Sequence, residues 1–343
     1  MSSIARALGV SVATVSYAFT RPNKLSPPVR ARVLAEAARQ GYGGPDPAAR
    51  QLSRGRSDTL GLLFTDELAH AFADPAAVRF LQGLSESCQS AGLNLLLISS
   101  ESSGGRPDAV ANAVVDGFVV YSVPPEDPHL ARIRQRRLPT VVVDSPPDVP
   151  EFDWIGSDDR AGGRLVGELV AGLGHRRIGV ITDGGRGGRA GPADLAALRG
   201  SPSSVHGNRI LGLAEALAAL GVGEPAIEVC SGLTRAAGAT ALNAMLDREP
   251  GLTAVCLMMD VLALGALDAA RERGLSVPDD LTITGYDGIP EASAAGLTTV
   301  CQPLVDKGRL AGDLYLSHRP GEPPRRRVLP VHVQVRSSTG PAR

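Results

Sequence analysis

Ser11, Thr14, Ser16 and Tyr17 fall within seven positions near the start of the chain, and Arg21 and Lys24 follow directly. Hydroxyls and cations at this spacing suit hydrogen bonds to phosphate oxygens and base edges. The elements that would hold them are short. Ser3–Leu8 is an apolar-periodic run stopped by Gly9. Ser11 can cap a second helix from Val12 to about Thr20, with Val10, Val15 and Phe19 spaced to face one side. Two short helices about Gly9 make a helix-turn-helix. Ser26-Pro27, a cap followed by a first-turn proline, starts a third helix that runs to Gly41. Its Val29, Val33, Leu34 and Ala37 are expected inward, and Arg30, Arg32 and Arg39 outward. The second helix would enter the major groove with its first turns toward the bases. Val12, Ala13, Ser16 and Tyr17 are therefore candidates for base edges, and Ser11, Thr14, Arg21 and Lys24 for phosphates.

Charge separates this reading from a small structural bundle with a solvated basic face. Residues 1–57 hold nine Lys/Arg against Glu36 and Asp46, a net +7. The whole chain is −1, so residues 58–343 carry −8. A basic head on an acidic body points the head, and not the body, at a polyanion.

The head resembles that of LacI/GalR-type transcriptional regulators, whose pattern is close to D-V-A-x-x-A-G-V-S-x-x-T-V-S-x-x-L-N. Ile4-Ala5, Gly9-Val10-Ser11 and Thr14-Val15-Ser16 match it. Tyr17 and Thr20 depart, standing where many members have Arg and Asn. Those positions touch DNA in the family, so the operator sequence does not carry over. The chain also starts a few residues late against the pattern, which leaves the first helix without its usual cap.

Residues 44–57 read as a linker by composition. Asp46-Pro47, however, is a cap with a first-turn proline, and Ala48–Leu52 offers two helical turns, marginal in isolation. The stretch resembles the family's hinge helix, which orders on DNA. By that resemblance Leu52 is the minor-groove wedge, with Ala49 one turn before it.

The remainder is 58–343. Hydrophobic residues make up 43% of the chain and aromatics 3%, which predicts an aliphatic core. No run of 18 apolar residues suggests a membrane span, and no charged-then-apolar leader pattern is present. Cys88, Cys230, Cys256 and Cys301 are far apart, and the six histidines lack ligand spacing. The expectation is a reduced, cytoplasmic protein with no metal and no cofactor. Apolar runs suited to buried parallel strands lie at 60–64, 93–98, 117–120, 141–143, 178–181, 227–230, 255–258 and 281–284. Helical patterns at 76–90, 162–173, 209–220, 235–246 and 261–273 alternate with them. The fold class is thus α/β: an all-α helix-turn-helix domain followed by a two-lobed, doubly wound core. Ligands of such folds lie beyond the carboxyl ends of strands.

The core resembles the family's periplasmic-binding-protein-like effector domain. Gly174–Ile178 fits G-H-R-x-I, Asp260–Ala266 fits D-x-x-A-x-G-A, Gly285–Asp287 is G-Y-D, and Leu297–Pro303 fits L-T-T-V-x-Q-P. The resemblance implies domains at 1–43, 44–57 and 58–343. Lobe 1 would be about 58–173 plus 302–328, and lobe 2 about 174–301 plus 329–340. It implies a homodimer on a pseudo-palindromic operator, with a small polar effector, sugar-like or nucleobase-like, between the lobes. Asp74 is followed by Ala76 and Ala77 where members often carry two aromatics, so Phe72 is the candidate replacement floor. Arg209 stands at the R-x-x-G position where an arginine grips the ligand. Asp158, Asp260 and Asp287 each end a strand. Such carboxylates and a guanidinium make bidentate hydrogen bonds to vicinal hydroxyls or a polar base, although a strand-end Asp also serves as a helix cap.

The segment between Ile181 and Arg209 is longer than the family's. Its Gly185–Ala190 reads G-x-G-x-x-A, but no acid follows about twenty residues on to bind a ribose, so a surface loop near the cleft mouth is expected. Three functions compete: a ligand-responsive repressor, a solute-binding protein and a nicotinamide-dependent oxidoreductase. The basic head opposes the second. The defective glycine fingerprint opposes the third, as does the lack of an assembled acid–base set.

Overall fold

The structure, a computed structural model, describes residues 1–44, 55–64, 68–99, 108–184, 189–196 and 205–343. The chain divides into two compact units, Met1–Ser57 and Asp58–Arg343. Ala49 and Leu52, and with them the expected hinge helix, lie outside the described residues.

The first unit is a three-helix cluster: α1 (Ser2–Leu8), α2 (Val12–Thr20) and α3 (Pro27–Arg39). Gly9 ends α1 in the left-handed region, φ 66°, where a side chain would strain the turn. Ile4, Ala5, Val15, Ala18, Val33 and Ala37 form its core, with Leu8, Val10, Phe19, Leu25 and Tyr42 packed around them.

The second unit holds two sheets. The first contains β1 (Thr59–Phe64), β2 (Asn94–Ser99), β3 (Gly117–Tyr121), β4 (Thr140–Val143), β5 (Asp153–Ser157) and β12 (Arg326–Leu329). Its order is β12-β5-β4-β3-β1-β2, parallel throughout. The second contains β6 (Ile178–Asp183), β7 (Gly191–Ala193), β8 (Ala226–Cys230), β9 (Ala254–Leu257), β10 (Thr282–Asp287), β11 (Thr298–Cys301) and β13 (His332–Gln334). Its order is β13-β11-β10-β9-β6-β8-β7, with antiparallel β13 and β7 at the edges. Apart from the antiparallel edge strands, each sheet repeats one winding: its second parallel strand (β2, β8) flanks the first (β1, β6) on one side and the later strands follow on the other. The order reverses between β1 and β3, and again between β6 and β9. These reversal points are where doubly wound sheets bind ligands.

Each sheet is buried on both faces by an aliphatic cluster, which is why its central strands read as unbroken apolar runs. The helix Leu304–Leu316 packs on Pro75–Ser90 under the first sheet. The helix Asp159–Gly172 packs on Val205–Ala219 under the second sheet, and Val166 and Val170 join that sheet's core. This corrects the expected boundary at 173/174. The chain crosses between lobes at 157–159, because the burial of the helix and not the next strand decides where it belongs. Further crossings follow β11 and β12. The long segment after β6 is also more than a surface loop: β7 pairs with β8, and Leu195 is buried in the second lobe's core.

Candidate functional site

On the head, Ser11 caps α2 by accepting the Thr14 amide at 3.0 Å, and its hydroxyl meets that of Thr14 at 2.8 Å. Val12 is 45% exposed and Ala13 is exposed, while Ser16 and Tyr17 are half-buried. Val12 is thus an apolar group held open on the first turn of α2, suited to a thymine methyl. Arg21 and Lys24 both lie over the Tyr17 ring, 5.9 Å from its centre, so three candidate residues form one cationic platform. Arg30, expected outward, donates to the Ala18 carbonyl at 3.3 Å and ties α3 to α2.

In the core the site forms around Arg209. Its helix already includes Val205, so Arg209 lies within the helix and does not open it. The side chain is 3% exposed. Nε donates to Asp159 Oδ1 at 2.8 Å, and Nη1 to the Met258 carbonyl at 2.6 Å and Asp287 Oδ1 at 3.5 Å. The guanidinium also stacks on Tyr286, 3.7 Å from the ring centre. Burial opposes its charge, but Asp159 and Asp287 outweigh that and hold its pKa above the ordinary value. Close approach makes this arrangement reachable. A Cβ on Gly163 would fall 1.8 Å from the Arg209 carbonyl oxygen, and one on Gly162 would fall 2.1 Å from the Tyr286 hydroxyl.

Asp287 ends β10 with φ 123°, a strained region for a residue with a side chain. Burial pushes its carboxyl up, against Arg209, with Asp74 adding to the rise and Gln302 and His206 opposing it. The strained turn is held from below by Asp260, whose Oδ2 accepts the amides of Gly288 at 2.7 Å and Ile289 at 3.0 Å. Its Oδ1 accepts the Thr299 hydroxyl at 2.6 Å. Asp260, 0% exposed, is thus a turn clamp and not the cleft-facing carboxylate expected. Asp158 is corrected likewise. It is exposed and caps its helix, accepting the Ala161 amide at 3.0 Å. One residue further round the helix, Asp159 turns inward to Arg209. Phe72 is 58% exposed and meets no other ring among the described residues.

Asp74 caps the helix Pro75–Ser90 through the Ala76 amide at 2.9 Å. Burial pushes its carboxyl up; the Ala76 and Ala77 amides oppose this, as do the charges of His206 and Arg209 of the other lobe. Tyr121 ends β3, where the first sheet's order reverses. Burial, then Asp74, Asp144 and Asp287, push its phenol well above the ordinary range, so it remains a neutral donor. His206 lies three residues before Arg209, on the same helix face, and its Nδ1 pairs with Asp183 at the end of β6. Asp159, Tyr121, Tyr286 and the Asp183–His206 pair escaped sequence reading. A signal existed for two of them: Asp159 adjoins Asp158, and Tyr286 is the middle of G-Y-D.

Residues 168–339 match the family of periplasmic binding protein-like domains. The chain is 44% identical over 337 residues to the HTH-type transcriptional regulator Rv3575c of Mycobacterium tuberculosis, covering 96% of this chain and 92% of that one. A solved lac repressor dimer, bound to operator and the anti-inducer ONPF, superposes with TM-score 0.75 at 25% identity over 98% of both chains. The chain belongs to the LacI family of transcriptional regulators. A solved complex of the family's regulator CelR with cellobiose gives TM-score 0.69 at 27% identity over 98% of both chains. Among the described residues no helix is long and apolar enough to cross a membrane.

Proposed function

We propose that this LacI-family regulator is a repressor that binds a pseudo-palindromic operator as a homodimer, and that a small, uncharged, hydroxyl-rich effector in the cleft sets its DNA affinity. The observation that carries the effector reading is the Arg209 grip. A buried guanidinium backed by Asp159, Asp287 and Tyr286 sits at the strand ends of lobe 2, with Asp74 and Tyr121 of lobe 1 opposite. Vicinal hydroxyls satisfy both the donors and the carboxylates of such a set. A nucleobase is disfavoured because Ala76 and Ala77 are both buried small residues beside Asp74 and offer no stacking floor. The cellobiose bound by CelR is an effector of the favoured class.

On the DNA side, Val12, Ala13, Ser16 and Tyr17 read bases, and Ser11, Thr14, Arg21 and Lys24 meet phosphates. Ala49 and Leu52 complete the contact in the minor groove. Operator binding places the protein in the cytoplasm. The cleft serves binding without turnover, because Asp159 and Asp287 spend oxygens on Arg209 and Gln302. Fluorescence anisotropy with the protein's own upstream DNA, repeated across neutral sugars, sugar phosphates and nucleobases, tests the proposal. Saturable binding relieved by a neutral sugar is expected. Binding that responds only to a phosphate ester or a base would overturn the effector class, and no sequence-selective binding would overturn the operator reading.

A further inference from the structure

Lys307 is the one charged side chain on the buried face of its helix, among Leu304, Gly308, Ala311, Gly312 and Leu314. It is 1% exposed. An ammonium is costly to bury unless every donor is satisfied, and an apolar side chain would fill this face without that cost. Here Nζ donates to both carboxylate oxygens of Asp144, at 2.8 and 2.9 Å, and to Gln302 Oε1 at 2.9 Å. The same Oε1 accepts the Ser157 hydroxyl at 2.8 Å. With two donors on its oxygen, the Gln302 amide has one satisfactory orientation: its NH2 faces away and donates to Asp287 Oδ1 at 2.7 Å. The flipped amide would set NH2 against an ammonium and an oxygen against a carboxylate. Asp144 is itself pinned, its carbonyl accepting Trp154 Nε1 at 3.1 Å and its Oδ1 the Ser157 amide at 3.4 Å.

We infer that Lys307 is a positioning residue for the Arg209–Asp287 grip. Acting through Gln302, it fixes which amide end meets Asp287 and so ties the lobe 2 carboxylate to the lobe 1 frame. The inference rests on reading that grip as the effector contact. Gln302 lies in the crossing after β11, so the relay from Asp144 and Lys307 to Asp287 and Arg209 spans the junction that must bend if the lobes close. Asp287 is also faced by His206, by Asp74 of lobe 1, by Tyr121, and by Asp260 and Tyr286 of its own lobe. None of these is altered by the substitutions below.

The test is a 13C NMR titration of the Asp287 carboxyl in the full chain without effector, the resonance assigned with Asp287→Asn. Lys307→Met alone strands Asp144, so the deciding variant is Lys307→Met with Asp144→Asn. It removes both charges together, and asparagine tolerates the left-handed backbone at 144, φ 61°. Freed from Lys307, the amide no longer reliably donates to the ionised carboxylate, and the Asp287 midpoint should rise by about one pH unit. Gln302→Leu should produce the same rise, and the paired swap should add nothing on that background. An unchanged midpoint in the paired swap overturns the inference. So does a rise that persists undiminished beside Gln302→Leu, which would mean that Lys307 acts directly through space. No effector is present, so this result stands apart from the fate of the effector reading, which the Arg209 variant tests.

Discussion

Arg209→Met keeps an unbranched apolar stem over the Tyr286 ring and removes the guanidinium. Asp159 and Asp287, whose side chains are 10% and 6% exposed, then lose their shared cation. Breaking a buried pair by removing one partner costs about 3–5 kcal/mol. Asp287 keeps the Gln302 donor at 2.7 Å, so the lower end of that range, about 3 kcal/mol, is expected at pH 7.5. The pH dependence has a definite sign. The folded Asp287 carboxyl already lies above the ordinary carboxylate value because of burial, and losing Arg209 raises it further. The folded variant therefore takes up a proton before the unfolded chain does. Its deficit should shrink as pH falls from 7.5 toward 5, by at most about 1.4 kcal/mol per pH unit. Urea unfolding of wild type and variant at both pH values measures this. A deficit under about 1 kcal/mol at pH 7.5, or one that grows on acidification, would refute the reasoning. Isothermal titration of the variant with the effector found by the sugar screen should show affinity at least about tenfold weaker, from lost charge-assisted hydrogen bonds. Operator binding without effector should persist.

Gly163→Ala drives a Cβ into the Arg209 carbonyl oxygen, so it should lower stability by about 1–3 kcal/mol and weaken effector binding with it; an unchanged melting temperature would show that the two helices are not so closely packed. Arg21→Gln and Lys24→Gln should each reduce the slope of log operator affinity against log salt by about one, read from anisotropy between 50 and 200 mM salt. Leu52→Ala should leave folding intact but reduce DNA bending, and wild-type bend angles in circular-permutation gels would return 44–57 to a plain linker. Burial pushes the Cys256 thiol up to about 12, so a thiol reagent on the native protein should leave it unmodified while half-buried Cys301 reacts first; mass mapping of the labelled chain decides it.

The helices of the head were legible because their determinants are local. Ser11 caps α2 through its own third neighbour, Gly9 turns by its own φ, and the inward set Val15, Val33 and Ala37 follows helical spacing. The central strands of both sheets were equally plain, since burial on two faces demands continuous apolar runs. Arg209 and Asp287 were singled out through motif alone, and the structure brings them together. Tertiary packing decided the rest. Asp158 and Asp159 are adjacent and chemically identical, and only the rotation of their helix against Val205–Ala219 makes one a solvated cap and the other the partner of a buried arginine. Asp260 carries the same strand-end signature as Asp287. It clamps the turn and Asp287 lines the grip because Thr299, Gly288 and Ile289 arrive beside the first and Arg209 and Gln302 beside the second. The basic β12 is a strand only because β5 offers it an edge. Nothing within the helix Leu304–Leu316 shows that Lys307 belongs in the interior, because the partner that receives it there, Asp144, lies 163 residues away in sequence.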